Sequence, residues 1–347
     1  MDKEPQFVYP MKLIPAGKDY LWGGHRLVRE FGKSFDMDPV AESWECSTHP
    51  DGPSCVETMD GAAPLQTLLL AHPDYLGTHP ARSMPDAAAR GEIPILVKFI
   101  DAQRDLSVQV HPDDAFARKY ENGQLGKSEM WYVLDAAREA QIVYGFSRQM
   151  TREALRRAIA SDRLESCLQK VPVRRDDVFF VKAGTVHAIG AGTLIVEVQE
   201  SSNLTYRLYD YHRRGPDGKE RELHIEKALK AADLTVSSAP RQPMRVLRYR
   251  RGYASELLCR CRYFEVRRLL VNTQMPCIAA EVVYATDESS FHVLICTEGS
   301  GELHCASGPG NRPNHVIPVR RGDTFFLPAS CTPFHICGSM TMLDVNC

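Results

Sequence analysis

Two stretches of the sequence are almost alike, VRRDDVFFVKAGTVHAI from Val173 and VRRGDTFFLPASCTPFHI from Val319. Each supplies a turn, then a strand with paired phenylalanines, then a loop of small residues. A strand-loop-strand unit that occurs twice predicts two related β units in one chain. The two copies differ at a chemically important position, because His187 in the first stands in register with Pro333 in the second.

Short segments rich in β-branched and aromatic residues dominate the rest of the chain. One series runs from IPILVKFIDA at Ile93 to TLIVEVQE at Thr193, and another runs from YFEVRRLLVN at Tyr263 to MTMLDVN at Met340. Apolar residues at three- and four-residue intervals predict helices over 63–77, 151–171 and 224–233. The predicted fold is therefore mainly β, with a few inserted helices.

The repeated stretch resembles the second signature of a cupin, a jelly-roll β-barrel. We therefore predict two cupin (jelly-roll) β-barrel domains, separated near LTVSSAPRQPMR at 234–245, where small polar residues and prolines follow the last helix. Residues 1–235 are expected to form an N-terminal metal-binding cupin with helical insertions. Residues 245–347 are expected to form a C-terminal cupin without a metal site, because Pro333 cannot coordinate a metal and His335 is displaced by two residues.

Composition narrows the classes of partner. The 347 residues are 44% hydrophobic and 25% charged with a formal net charge of −2, which gives no overall electrostatic attraction to nucleic acid or an anionic membrane. Small-molecule partners are expected. The first residues lack the apolar core of a signal peptide, so we expect a cytoplasmic protein. Eleven cysteines are too sparse for a disulfide scaffold and predict reduced thiols.

Candidate metal ligands occur in the first β series. Gln109 and His111 are two residues apart in LSVQVHPDD, so a strand would point both to one face. Glu129 begins the next apolar run, and His187 follows the loop of the repeated unit. His111, Glu129 and His187, completed by Gln109 or water, suit a catalytic Zn²⁺ but would also accept Fe²⁺, Mn²⁺ or Ni²⁺.

Further motifs make the resemblance specific. They are LWGG at Leu21, AESWECSTHPDG at Ala41, ILVKFIDAQRDLSVQVHPDD at Ile95, GKSEMWYVLDA at Gly126, AGTVHAIGAG at Ala183 and YRLYDYHR at Tyr206. In this order they resemble the type I mannose-6-phosphate isomerases (phosphomannose isomerases) in their shorter bacterial form. The C-terminal RRGDTFFLPA resembles that family's second, metal-free cupin, so the resemblance covers nearly the whole chain.

The resemblance implies an aldose-ketose isomerase with one Zn²⁺ per chain that interconverts mannose 6-phosphate and fructose 6-phosphate through an enediol. It places the family's zinc ligands on His111, Glu129 and His187, with Gln109 at a position that ligates in longer relatives. It places the active-site arginine on Arg207, and it places Ser107 and Lys127 beside the sugar phosphate.

Other functions stay open at this stage. The chain could be a non-catalytic sugar-binding cupin or another metal-dependent cupin enzyme, and neither would need a phosphate clamp. Glu197 within TLIVEVQE is one candidate for the group that moves the proton, although it could equally pair with a nearby cation. The sequence does not fix the oligomeric state.

Overall fold

The computed structural model describes residues 8–58, 61–215, 217–237, 240–243, 245–274, 282–308 and 312–347. Parts of the predicted domain boundary (residues 238–239 and 244), of the first residues (1–7) and of the C-terminal Gly/Pro-rich loop (309–311) lie outside the described residues. The described residues are mainly β, as the sequence predicts, and form several sheets.

The strands of the first two thirds of the chain are short. They are β1 (Met11–Ile14), β2 (Ala16–Lys18), β3 (Glu42–Cys46), β4 (Cys55–Thr58), β5 (Gly61–Pro64), β6 (Ile95–Ala102), β7 (Val108–Val110), β8 (Glu129–Ala136), β9 (Gln141–Phe146), β10 (Leu168–Pro172), β11 (Val178–Val181), β12 (His187–Ile189), β13 (Thr193–Glu200) and β14 (Tyr206–Tyr209).

The remaining strands include two long ones. They are β15 (Arg248–Arg250), β16 (Tyr253–Arg260), β17 (Glu265–Asn272), β18 (Val282–Tyr284), β19 (His292–Gly308), β20 (Arg312–Arg320), β21 (Thr324–Leu327) and β22 (Phe334–Asn346). The helices all precede β15. They are α1 (Arg26–Arg29), α2 (Leu65–Ala71), α3 (Thr78–Ser83), α4 (Pro85–Ala89), α5 (Asp114–Tyr120), α6 (Arg152–Ala160) and α7 (Ile225–Ala231), with 3-10 turns at Pro73–Leu76 and Leu164–Cys167.

A six-stranded sheet in the order β11-β8-β13-β6-β3-β2 lies at the centre of the fold. Its strands β6 and β13 are buried at every residue, because both faces of the sheet are covered. Since neighbouring side chains alternate between faces, Phe99 and Val196 point to one side while Lys98 and Glu197 point to the other. The second face therefore carries the buried charges of Lys98 and Glu197.

A five-stranded sheet in the order β10-β9-β12-β7-β14 packs against this charged face. Trp131 and Ile195 of the central sheet contact Ile142 and Ile189 of the five-stranded sheet in one apolar cluster. Helices α6 and α7 cover the outer side of the five-stranded sheet in a separate cluster. The two sheets thus enclose a space lined by both apolar and charged side chains.

An eleven-stranded sheet covers the apolar face of the central sheet. It contains every strand from β15 to β22 and also β1, β4 and β5. Strand β1 pairs antiparallel with β21, with Met11 opposite Phe326 and Lys12 opposite Phe325. The first described strand of the chain therefore belongs to the same sheet as the C-terminal half.

A buried ion pair fastens the two halves at the same place. The Glu45 carboxylate is fully buried, lies 2.7 Å from Lys33 Nζ and accepts a hydrogen bond from the hydroxyl of Thr324 in β21 at 2.7 Å. Lys33 Nζ also donates to the carbonyl oxygen of Gly322 at 2.5 Å. The RRGDTFF turn of the C-terminal half therefore supplies hydrogen-bond partners to a buried ion pair of the N-terminal half.

Most predicted elements are present, with three differences in extent. The helix predicted over 63–77 is shorter, because α2 ends at Ala71 and a 3-10 turn at Pro73–Leu76 follows it. The helix predicted over 151–171 begins as expected, with the Thr151 hydroxyl accepting from the backbone N–H of Ala154, but it ends at Ala160. Its second part becomes a 3-10 turn and β10, because Leu168 to Pro172 find a partner in β9. In the second β series, the separate short segments FHVLICTEG (291–299) and GELHCAS (301–307) join in one strand, β19.

Thiols are free at Cys46, Cys55, Cys167, Cys259, Cys261, Cys296, Cys305, Cys331 and Cys347, and none of these side chains is exposed. In the described part of the chain, no helix is long and apolar enough to cross a membrane.

Removing one partner of the buried pair is expected to destabilise the protein strongly. Lys33→Met leaves the Glu45 charge uncompensated, and we expect the free energy of unfolding to fall by about 3 to 5 kcal/mol. Urea denaturation measures this difference. The double variant Lys33→Met, Glu45→Met should recover most of the loss, and a double variant no more stable than Lys33→Met alone would contradict this account.

The C-terminal half carries a partly buried histidine that should make stability depend on pH. Burial by itself lowers the pKa of His292, but Asp344, 2.7 Å from Nδ1, outweighs it and raises the pKa. Stability from this contact is therefore full below the unfolded pKa of 6.5 and lost as the pH rises through the higher folded pKa.

Denaturation midpoints measured from pH 6 upwards test this expectation. His292→Gln should remove part of the decline in stability with rising pH, and the more exposed His304→Gln should leave it unchanged. An identical pH slope in His292→Gln and the unmodified protein would show that the contact with Asp344 does not contribute.

Candidate active site

The charged face of the central sheet positions three residues of the site. Glu197 in β13 lies in register with Lys98 in β6 on one side and with Trp131 in β8 on the other. Glu129 is the first residue of β8, two positions before Trp131, so it shares the same face. These side chains point toward the five-stranded sheet because the opposite face is occupied by the apolar cluster beneath the eleven-stranded sheet.

The five-stranded sheet supplies the facing residues. His187 in β12 lies opposite Gln109 in β7, and His111 follows β7 by one residue. Their apolar neighbours Val108, Val110 and Ala188 belong to the cluster on the outer side of the sheet. Alternation therefore directs Gln109, His111 and His187 inward, as the two-residue spacing in LSVQVHPDD predicts.

His111, Glu129 and His187 form a compact group of possible metal ligands. Each offers one ligand atom, and these atoms all lie within 4.8 Å of one another. His111 Nε2 is 3.5 Å from Glu129 Oε2, and His187 Nε2 is 3.3 Å from Glu129 Oε1. All three side chains are buried. The packing of two sheets brings these residues together, because Glu129 begins a strand of the central sheet whereas His187 lies in the five-stranded sheet and His111 directly follows its strand β7.

Backbone carbonyls fix the orientation of both imidazoles. His111 Nδ1 is 2.7 Å from the oxygen of Leu204, and His187 Nδ1 is 2.8 Å from the oxygen of Thr185. A carbonyl oxygen can only accept, so each Nδ1 carries the proton and each Nε2 presents a lone pair toward Glu129. Histidine ligands of metals are commonly held by this kind of second contact.

The protonation of the group also fits a cation. Burial lowers the pKa of His111 and lowers that of His187 to about 4, so both rings are neutral near pH 7. Burial raises the pKa of Glu129 to about 7. Lys127 Nζ lies 2.9 Å from Glu129 Oε2 but not in hydrogen-bonding geometry, and neither carboxylate oxygen has a hydrogen-bond partner among the described residues. Two neutral imidazoles around an unsatisfied buried carboxylate fit a divalent metal.

Gln109 adjoins this group without belonging to it in the present side-chain orientation. Its Nε2 is 3.4 Å from His187 Nε2, while its Oε1 faces the Ser107 hydroxyl at 3.4 Å. A rotation of the amide by 180° would direct the oxygen toward the group. Across residues 245–274, 282–308 and 312–347 no comparable group of three possible ligands occurs, and His335 lies in β22.

A second buried network lies beside the possible metal ligands. Lys98 Nζ is 3.3 Å from both Glu42 and Glu197 and sits 4.7 Å from the centre of the Trp44 ring. Burial disfavours the ionised form of Glu197, but Lys127 and Lys98 outweigh it and hold the pKa of Glu197 at about 2. The Glu197 carboxylate is therefore ionised, and its Oε2 lacks a hydrogen-bond partner among the described residues.

A cavity of about 290 Å³ opens over both networks. Four of the seven predicted site residues line it, namely Ser107, Gln109, Lys127 and Arg207, and so does Glu197. The ligand group adjoins its wall through Gln109 and Lys127, which contact His187 and Glu129 respectively. The structure therefore gathers all seven predicted site residues around one cavity.

Two arginines line the cavity as well. Arg207 Nε donates to the Ser107 hydroxyl at 3.3 Å, and Arg207 Nη1 donates to the carbonyl oxygen of Glu222 at 2.9 Å. Arg221 is held by the buried Asp210 carboxylate through bonds of 2.7 and 2.5 Å. These two cations give the cavity a positively charged region that suits a phosphate group.

Sequence reasoning did not identify several lining residues. They are Tyr20, Trp22, Glu42, Lys98, Asn203 and Arg221. Lys98 carried a usable signal, because a lysine inside the apolar run ILVKFIDA must be paired if the strand is buried. No local sequence pattern pointed to Arg221, since it lies in a polar loop and its bonds to Asp210 hold it at the cavity.

Comparison with known proteins identifies the family. The model of the phosphomannose isomerase type I catalytic domain matches residues 11–140. Mannose-6-phosphate isomerase ManA of Bacillus subtilis (strain 168) is 33% identical over 330 residues, which cover 95% of this chain and 96% of ManA.

Solved structures agree. The crystal structure of the mannose 6-phosphate isomerase from Bacillus subtilis superposes with a TM-score of 0.83 at 32% identity, covering 97% of this chain and 99% of that one. A zinc-bound mannose 6-phosphate isomerase superposes with a TM-score of 0.73 over 97% of this chain and 99% of its own, and at 17% identity this likeness shows the fold alone. The sequence and the structure together place the chain in the type I mannose-6-phosphate isomerase family.

Proposed function

We propose that this protein is a zinc-dependent aldose-ketose isomerase that interconverts mannose 6-phosphate and fructose 6-phosphate through an enediol. The observation that carries the proposal is the cavity, which joins a buried His-Glu-His group to a pair of arginines. ManA, which shares a third of its residues with this chain, is named for the same reaction.

The arginines are suited to hold the phosphate. Guanidinium groups stay charged and match phosphate oxygens with paired donors, so Arg207 and Arg221 can bind the end of the sugar remote from the reacting carbons. Ser107 and Lys127 would contact the substrate between this end and the ligand group, since Ser107 bonds Arg207 and Lys127 adjoins Glu129. Binding of the phosphate, which is remote from the reacting carbons, would hold a flexible open-chain sugar in one position in the cavity.

His111, Glu129 and His187 would hold one Zn²⁺ per chain, and Gln109 could complete the set through its amide oxygen. When bound, the ion would supply Lewis-acid stabilisation of the oxyanion that develops as the proton leaves the sugar. The chain's own part is to keep both imidazoles neutral and oriented through Leu204 and Thr185. The two Nε2 atoms are therefore oriented toward Glu129 before a metal binds.

Glu197 is a candidate to move the proton between the two carbons. It lines the cavity, and one of its oxygens lacks a hydrogen-bond partner among the described residues. Its hydrogen bond from Trp131 Nε1, at 3.1 Å, and the contact with Lys98 fix the carboxylate in place.

The two halves would be two cupin barrels with different duties, the first catalytic over residues 1–235 and the second without a metal over 245–347. The two facing sheets around the cavity and the lack of a ligand group in the described part of the second half support this division. A small anionic substrate and a family of metabolic isomerases favour a cytoplasmic location.

Removing the metal should abolish the reaction reversibly. We expect purified protein to isomerise mannose 6-phosphate, to lose activity on chelation and to regain it with one equivalent of Zn²⁺. His187→Ala should bind zinc weakly and lose activity by at least about 100-fold, because a ligand is lost and not merely an outer contact. Metal analysis and a coupled assay for fructose 6-phosphate measure both effects.

Two results would count against this function. A folded, zinc-loaded protein that does not turn over mannose 6-phosphate would point to a binding module. Turnover unaffected by complete metal removal would contradict the role of the His-Glu-His group, whatever the substrate.

Arg221 should matter only for phosphorylated substrates. Arg221→Gln is expected to raise KM for mannose 6-phosphate by about 10- to 100-fold, because one or two charged hydrogen bonds to the phosphate would be lost. The slow reaction of unphosphorylated mannose should not change. Arg156→Gln, which breaks an exposed pair with Glu226, is the control and should match the unmodified protein. Equal KM values in Arg221→Gln and Arg156→Gln would place the phosphate elsewhere.

A further inference from the structure

A buried carboxylate that takes no direct part in the proposed reaction lies just behind the ligand group. Glu200 is the last residue of β13 and is 2% exposed. Its Oε1 accepts a hydrogen bond from the backbone N–H of Ser128 at 2.6 Å, and its own backbone N–H donates to the carbonyl oxygen of Ser128 at 3.1 Å. Ser128 is thus held on both sides by one residue.

Ser128 lies between two residues of the site. Lys127 precedes it and lines the cavity, and Glu129 follows it and belongs to the ligand group. The direction of the backbone at Ser128 therefore decides where both side chains point. Apart from the contacts with Glu200, the Lys127 backbone N–H donates to the carbonyl oxygen of Pro112 at 3.0 Å, which ties the same segment to the residue after His111.

Glu200 is paired with a second carboxyl group. Asp114, at the start of α5, is within hydrogen-bonding reach of Glu200, and its Oδ1 accepts from the backbone N–H of Gly126 at 3.0 Å. Two carboxylates can bond to each other only if they share a proton. Burial raises the pKa of Glu200 to about 8, and the nearby Asp114 adds to the rise. Near pH 7 the pair thus keeps one proton.

The loop before Ser128 leaves little room for adjustment. A Cβ on Gly126 would lie 2.4 Å from the backbone nitrogen of Asp114, so only glycine allows this loop to approach α5 so closely. The C-terminal half reaches the same pair, because the Tyr263 hydroxyl lies 3.4 Å from Asp114 Oδ2. Elements from three parts of the chain therefore converge on Glu200 and Asp114.

We propose that Glu200, bridged to Asp114, is a positioning residue that fixes the 126–129 segment and so sets the places of Lys127 and Glu129. The proposal rests on the proposed function for its effect on turnover, but its effect on metal affinity does not depend on which reaction occurs. Glutamine has the shape and the hydrogen bonds of a protonated glutamate, so it can accept from Ser128 and donate to Asp114. Alanine can do neither.

The test compares Glu200→Gln with Glu200→Ala by two measurements, Zn²⁺ affinity from chelator competition and the separate values of kcat and KM. Glu200→Gln should keep all three within about 3-fold. Glu200→Ala should weaken Zn²⁺ binding by about 10- to 100-fold, the usual effect of losing an outer contact of a metal site, and should lower kcat as well. Rescue by glutamine is not expected of a group that acts through its negative charge.

Glu256→Ala is the matched control. Glu256 is a buried carboxylate of the C-terminal half that pairs with Arg245 and Arg268, so its loss should destabilise the protein without touching the site. If Glu200→Ala does not fold, Asp114→Ala replaces it and should weaken Zn²⁺ binding in the same direction.

Three outcomes would overturn the proposal. They are unchanged Zn²⁺ affinity in Glu200→Ala, a Glu200→Gln variant as impaired as Glu200→Ala, and an equal loss of affinity in Glu256→Ala. A failure of the proposed function looks different: the unmodified protein would not isomerise mannose 6-phosphate, while the comparison of Zn²⁺ affinities would still decide the role of Glu200.

Discussion

The pairing of Lys98 with Glu42 and Glu197 is the interaction on which the rest of the site depends. The central sheet is covered on both faces, so any charge on it is removed from water and must be matched within the protein. Lys98 lies 3.3 Å from each glutamate and over the ring of Trp44. This arrangement lets an otherwise apolar sheet carry ionised groups into the space where the five-stranded sheet presents its histidines.

The C-terminal half supports this arrangement from the opposite face. It covers the apolar side of the central sheet, it supplies Thr324 and Gly322 to the Glu45–Lys33 pair, and it reaches Asp114 through Tyr263. The two repeated stretches therefore make different contacts. The turn of the stretch at Val319 supplies hydrogen-bond partners to the buried Glu45–Lys33 pair, whereas the stretch at Val173 leads to the possible ligand His187.

The sequence predicted that His111, Glu129 and His187 would lie together, because alternation along strands and the apolar run after Glu129 are local patterns. The arginine at 221 and the carboxylate at 200 escaped prediction for a different reason. Their contacts, with Asp210 and with Ser128, depend on how distant segments meet, and no local pattern records that. The helix predicted to 171 was too long on similar grounds, since β9 draws Leu168 to Pro172 into a sheet.

Strand β1 has a consequence for the order in which the protein can be completed on the ribosome. Met11 to Ile14 are synthesised before every residue of the site, whereas their partner in β21, Thr324 to Leu327, is synthesised after all of them. At ordinary rates of synthesis roughly tens of seconds separate the two. During that interval one edge of β1 has no partner from β21, and the Glu45 carboxylate lacks its hydrogen bond from Thr324. A nascent chain can therefore contain every residue of the site before the sheet that supports the site is complete.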